Sequence, residues 1–206
     1  MKLRSPCEDG TKTRRIRLCQ KLPRFGVGAL VSLIFLAGGR EAPAQENATG
    51  EYQVKAAFLY HFSQFVEWPE GTFKEANSPI IYCTLGEDPF RGALDVSLSG
   101  KTVGGRALQV QHLKQPQEIR GCQILFIGAG EQKLVPSLRT RFQGNPVLTV
   151  GESEHFVQDG GIIGFLLEEN KIRFEINLEA AEHAKLKISS RLLALAKTVI
   201  GGQRGN

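Results

Sequence analysis

Two apolar runs separated by three residues constrain this chain more than any other feature: residues 162–167 (IIGFLL) and residues 171–178 (KIRFEINL), with Glu168, Glu169 and Asn170 between them. Runs of this length and type are strand-like, and Glu169-Asn170 supplies residues suited to a tight turn that closes an antiparallel hairpin. In the second run Ile172, Phe174 and Ile176 point one way, and Arg173, Glu175 and Asn177 point the other. A cation, an anion and an amide in a row form a recognition surface; the alternative is a solvated sheet face with a cross-strand charge pair. Upstream, strands are expected at residues 80–85, 108–113, 123–127 and 146–150. They alternate with helices over residues 52–66, after Glu87-Asp88-Pro89, and over residues 131–142. In the first of these helices Val54, Phe58, His61, Phe62 and Phe65 form the expected apolar face. A last helix starts at Ser189, a good N-cap, and buries Leu192, Leu195, Ala196 and Val199. The pattern predicts an α/β fold, a single three-layer domain with a mainly parallel sheet of about six strands, a C-terminal antiparallel hairpin and flanking helices.

Residues 1–44 read as an export signal. Arg14, Arg15, Arg17, Lys21 and Arg24 form a positive region, residues 27–37 are apolar, and Ala42-Pro43-Ala44 is an A-x-A cleavage site. The apolar stretch is shorter than the roughly 20 residues that cross a bilayer, so no stable membrane insertion is expected after cleavage behind Ala44. The Arg14-Arg15 pair is compatible with twin-arginine export, and Sec export is the favoured reading. The signal carries nine of the 26 Lys and Arg and three of the 21 Asp and Glu, which leaves 17 positive and 18 negative residues. The basic balance of the full chain therefore leaves with the signal, and no basic stripe remains to bind nucleic acid. The mature part is 162 of the 206 residues, a length suited to one domain that buries about 70% of its unfolded surface. Residues 45–50 are small and polar and are expected to fray, the folded domain spans residues 51–200, and residues 201–206 form a flexible tail.

Cys7 and Cys19 also leave with the signal. Cys83 and Cys122 remain, each in a strand-like segment, and two cysteines in an oxidising compartment read as one disulfide. The alternative is a pair of buried free thiols.

No constellation points to an enzyme. Residues 124–131 have the strand, Gly-x-Gly, helix layout of a dinucleotide site, but Lys133 stands where the third glycine belongs. Glu152, Glu154 and His155, or Glu179 with His183, could ligate a metal, yet neither set supplies a third ligand in register. His61 reads as a core or interface histidine. Ser189 and Ser190 lack a partnered base, and Gly151-Glu152-Ser153 does not continue into a nucleophile elbow. No cofactor and no metal site is expected.

The segments VKAAFLYHFSQFVEWP, IYCTLGEDPF, ILFIGAGE, GGIIGF, IRFEINL and LKISSRLLALAK run in order from Val54 to Thr198. In these words and their order the chain resembles the YfiR family of periplasmic regulators. It departs from the family pattern at Gly164, where relatives often have Asn, and at Lys185, where they have Gly. The resemblance implies a dimeric, redox-sensitive periplasmic repressor. Such a protein binds the periplasmic sensor domain of an inner-membrane diguanylate cyclase, lowering cyclic di-GMP and biofilm formation. The partner surface is then expected on Arg173, Glu175 and Asn177 with Ser189, Ser190 and Arg191. The alternative is a periplasmic small-molecule binder, with its ligand at the sheet edge or the strand C-termini, serving a different membrane sensor or receptor.

Overall fold

The computed structural model describes residues 44–141 and 145–202. The expected signal, apart from Ala44, and the tail beyond Gly202 lie outside these residues. The chain begins with helix α1 (Ala44–Gln64), strand β1 (Val66–Glu67), strand β2 (Ile80–Leu85), helix α2 (Ala93–Leu98), and strands β3 (Thr102–Val103) and β4 (Arg106–Leu113). Strand β5 (Ile124–Ile127), a 3-10 segment (Ala129–Leu134), helix α3 (Val135–Arg141) and strand β6 (Leu148–Gly151) follow. The hairpin β7 (Ile163–Glu168) and β8 (Lys171–Asn177), helix α4 (Leu178–His183), strand β9 (Lys187–Ile188), helix α5 (Ser190–Leu193) and strand β10 (Thr198–Ile200) complete it.

The sheet has eight strands in the order β10-β8-β7-β6-β5-β2-β4-β3, two more than the pattern predicted, and β1 and β9 form a separate antiparallel pair. Neighbours from β7 to β4 run parallel, the β7–β8 hairpin is antiparallel, and β10 joins β8 in parallel. Both turn residues of the hairpin are left-handed, Glu169 at φ 48° and Asn170 at φ 61°, as a type I′ turn requires.

The central strands are apolar on both faces because helices cover both. On one side Ala56, Leu59 and Phe62 of α1 and Leu94 and Leu98 of α2 pack on Tyr82, Phe126, Val150, Phe165 and Phe174. Phe62 lies 5.1 Å from Phe174 and 5.7 Å from Phe165, ring centre to ring centre. These contacts tie α1 to the hairpin, with each aromatic pair contributing about 1 kcal/mol beyond its buried area. On the other side Val135 and Leu138 of α3 cover Leu85, Leu125, Ile127 and the Cys83–Cys122 disulfide. The disulfide joins β2 to the entry of its neighbour β5 with the two Cα atoms 5.9 Å apart. A methyl group placed on Gly161 would meet the Phe156 ring at 2.0 Å, and one on Gly151 at 2.2 Å, so these glycines let Phe156 wedge between the ends of β6 and β7.

Four expectations need correction. The inward face of α1 is Ala56, Leu59, Phe62 and Ser63, while Val54 is 45% exposed and His61 faces solvent beside Gln64. Aromatic residues on two adjoining stripes made the helix phase ambiguous. The first helix ends at Gln64, not at Val66, which pairs with Ile188 as a strand. The helix expected from residue 131 is delayed by the 3-10 segment and starts at Val135, with Pro136 in its first turn. The last helix stops at Leu193: Leu192 is buried, but Leu195 is 67% exposed and Val199 belongs to β10.

Candidate functional site

The chain passes from β2 outward to β4, returns across β2 to β5, and then proceeds through β6 to β7. Strand order therefore reverses between β2 and β5, and open α/β sheets leave a crevice outside the strand C-termini at such a point. A cleft of about 930 Å³ lies there, lined by Tyr52 of α1, Leu85 at the end of β2, the turn from Glu87 to Gly92, Val96 of α2, Gly128–Gly130 and Glu152.

Its inner wall is a polar network. Lys55, 4% exposed, reaches Glu51 and Glu152 at 2.5 Å each. Glu152 also accepts from the Tyr52 hydroxyl at 3.0 Å and from the Ala129 amide at 3.3 Å. Burial first, then the charge and hydrogen bond of Glu152 and the charge of Glu51, push the Tyr52 phenol well above its ordinary range. Asp88 holds the turn by accepting from the Phe90 amide at 3.0 Å and the Gly92 amide at 3.4 Å. Behind it His112 meets the Thr84 hydroxyl at 2.8 Å and Asp95 at 3.4 Å. The Glu131 carboxylate folds over Gly86, where a methyl group would touch its Oε1 at 2.7 Å. The site can hold protons and orient a polar group, but it presents no paired nucleophile and base, since Thr84 is fully buried.

Sequence reasoning missed Tyr52, Lys55 and Glu152 as a unit. The i,i+4 spacing of Glu51 and Lys55 and the position of Glu152 just past a strand were the available signals. Of the residues considered for metal, Glu152 is engaged by Lys55, and Glu154 and His155 are exposed beside each other at 3.6 Å. Among the described residues no group of three or more His, Cys, Asp and Glu is placed to hold a metal ion.

The residues singled out for recognition separate into two sets. Arg173, Glu175 and Asn177 lie on the sheet face of the second cluster, since Phe174 and Ile176 point into the first. Arg173 is exposed, Asn177 half-buried, and Glu175 only 9% exposed. Asn177 caps α4 by accepting from the Ala180 amide at 2.9 Å and donates to the Val157 carbonyl at 2.8 Å. Ser189 caps α5, accepting from the Arg191 amide at 3.3 Å. Ser190 and Arg191 are exposed on α5, whose Leu192 enters the first cluster. The two sets therefore stand on different sides of the sheet, with Glu175 and Asn177 beside β10 and Ser189 bonded through its amide to the Phe65 carbonyl. Among the described residues, no hydrogen bond or ion pair engages the side chains of Arg173, Glu175, Ser190 or Arg191.

Among the described residues no helix is long and apolar enough to cross a membrane. No curated protein matches the chain. A family model described as YfiR/HmsC-like matches residues 52–197 of the 206, and it describes regulators rather than catalysts. The order of strands and helices, the hairpin and this match over most of the chain lead to one assignment: the chain belongs to the YfiR/HmsC-like family.

Proposed function

We propose that the protein is a periplasmic repressor, exported and cleaved after Ala44, that binds the periplasmic sensor domain of an inner-membrane diguanylate cyclase. Binding holds the cyclase inactive and lowers cyclic di-GMP and biofilm formation. The family membership supports the class of function. The observation that carries the binding role is Glu175, a carboxylate 9% exposed with no partner among the described residues. Its oxygens are not among the buried unpaired atoms, so they reach the surface and can accept a charge-assisted hydrogen bond. An incoming donor from the cyclase supplies that pairing. Arg173 flanks it on the same face, and Ser190 and Arg191 offer exposed donors on the other side of the sheet. Asn177 and Ser189 contribute as caps that hold the two sets in place. The working form is a homodimer, as in the family.

Repression follows from differential affinity: a protein that binds the inactive state of the cyclase more tightly stabilises that state by the difference, and a signal that weakens binding releases it. The test measures affinity of the mature protein for immobilised periplasmic domains of inner-membrane cyclases from the same cell. Glu175→Ala is expected to weaken binding at least about tenfold with little change in melting temperature, and Arg191→Ala to weaken it less. Unchanged affinity in both variants would remove this surface. The switch-point cleft favours a second reading, a small-molecule binder that reports to a different membrane sensor or receptor.

A further inference from the structure

The two turns that frame the switch-point cleft are the places where open α/β sheets offer backbone amides to phosphates. In this chain its own carboxylates hold those places. Glu152 takes the Ala129 amide, Asp88 takes the Phe90 and Gly92 amides, and Glu131 lies across Gly86. A phosphate entering the cleft would have to displace an internal anion from each turn and then face the others at close range. The cleft is nonetheless open, with a volume of about 930 Å³. Its exposed apolar wall is Val96 on α2, at 79%, since Leu85 and Phe90 are each only 2% exposed. Lys55 neutralises Glu152 from behind, whereas the Glu87 and Glu131 side chains have no hydrogen-bond or ion-pair partner among the described residues. Arg91, at the rim of the cleft, is exposed and left-handed at φ 50°, a conformation that places an arginine at a turn only at a cost in strain.

We infer that this cleft is a binding site for a small organic cation with an apolar body, which seats its ammonium group against Glu131 and Glu87 and its apolar part on Val96, and that it excludes phosphates. This site is separate from the Glu175 surface and stands whether or not that surface binds a cyclase. Neutralising one carboxylate removes a charge-assisted hydrogen bond to the ammonium, and covering Val96 removes the apolar seat. Neither change touches the core.

The probe is 2-phenylethylamine, titrated into the mature protein and followed by backbone amide chemical shifts, with inorganic phosphate and adenosine monophosphate as comparators. Saturable shifts are expected at Gly86, Gly92, Gly128 and Gly130 with the amine and not with the two phosphates. Glu131→Gln should weaken the amine about tenfold, and Val96→Arg should abolish its shifts while the rest of the spectrum stays in place. Absence of saturable shifts with the amine, equal affinity in Glu131→Gln, or shifts of the same residues by either phosphate would overturn the assignment. Loss of amine binding would leave cyclase affinity at the Glu175 surface unaffected, so the two readings fail separately.

Discussion

At the scale of single residues, the chain pairs most of its buried polar groups; among the described residues Trp68 Nε1 and Ser153 Oγ are buried without a hydrogen-bond partner. Tyr82 is 1% exposed and donates to Ser63 at 2.6 Å, and Ser63 in turn donates to the Tyr60 carbonyl at 2.6 Å. Burial raises the Tyr82 phenol above its ordinary range, the Ser63 bond opposes this, and Tyr60 adds to it. The unfolded phenol ionises near about pH 10 while the folded one stays protonated, so its contribution is complete below that pH and is lost as pH rises past it. Tyr52 has the same sign. Tyr82→Phe should cost about 1 kcal/mol at neutral pH, since Ser63 keeps the Tyr60 carbonyl as acceptor. It should also flatten the loss of stability between about pH 9 and 11. Denaturant unfolding across that range decides it, and an unaltered alkaline slope would show that the buried phenol is not the group responsible. Glu175 is 9% exposed and has no partner among the described residues, while its carboxylate oxygens still reach solvent. Its alternation with Phe174 and Ile176 was legible in the sequence. Its depth was not, because it depends on strands on either side of it, with Gly164 of β7 opposite and Thr198 of β10 beside it.

At the scale of elements, local pattern was a good guide wherever a segment met its partners early in the chain. The strands β2, β4, β5 and β6 and the hairpin lie where the β-branched runs and the Glu169-Asn170 turn place them. The C-terminal segment was misread because LLALA has strong helix propensity, whereas the decisive demand comes from elsewhere. The outer edge of β8 lacks a neighbour, and Thr198, Val199 and Ile200, all β-branched, pair with Glu175, Ile176 and Asn177. The pairing of β1 with β9 was equally invisible, since two residues on each strand make no pattern. The switch-point site was half legible, with the glycines visible and the carboxylates that fill the turns hidden in separate segments. The stop of α4 carries its own prediction. Lys185 ends that helix at φ 57°, while the Leu186 amide donates back to the Ala181 carbonyl at 2.9 Å. A left-handed residue with a side chain costs about 1 kcal/mol, partly offset in glycine by backbone entropy. Lys185→Gly should therefore stabilise the protein by about 0.5 kcal/mol, read as a higher urea midpoint at constant slope. A lower midpoint would mean that the lysine side chain stabilises the turn.

At the scale of the whole molecule, one cross-link and one edge organise the account. The Cys83–Cys122 disulfide joins residues 39 apart and is buried in the second cluster. Closing such a loop restricts the unfolded chain by about 4 kcal/mol. The Cys83→Ala, Cys122→Ala double variant should lose stability on that order, and a loss under about 1 kcal/mol would assign the bridge no structural weight. Because a repressor acts only while folded, the same variant should shorten repression in the cell. The central claim is that the folded molecule, exported to the periplasm, restrains a membrane cyclase. Cellular cyclic di-GMP tests it most directly, measured in a strain lacking the protein and again with the exported, cysteine-intact form restored. The account predicts a rise on deletion that restoration reverses and that Glu175→Ala fails to reverse fully. An unchanged level in the deletion strain, under conditions where the wild-type protein is present in the periplasm, would contradict it.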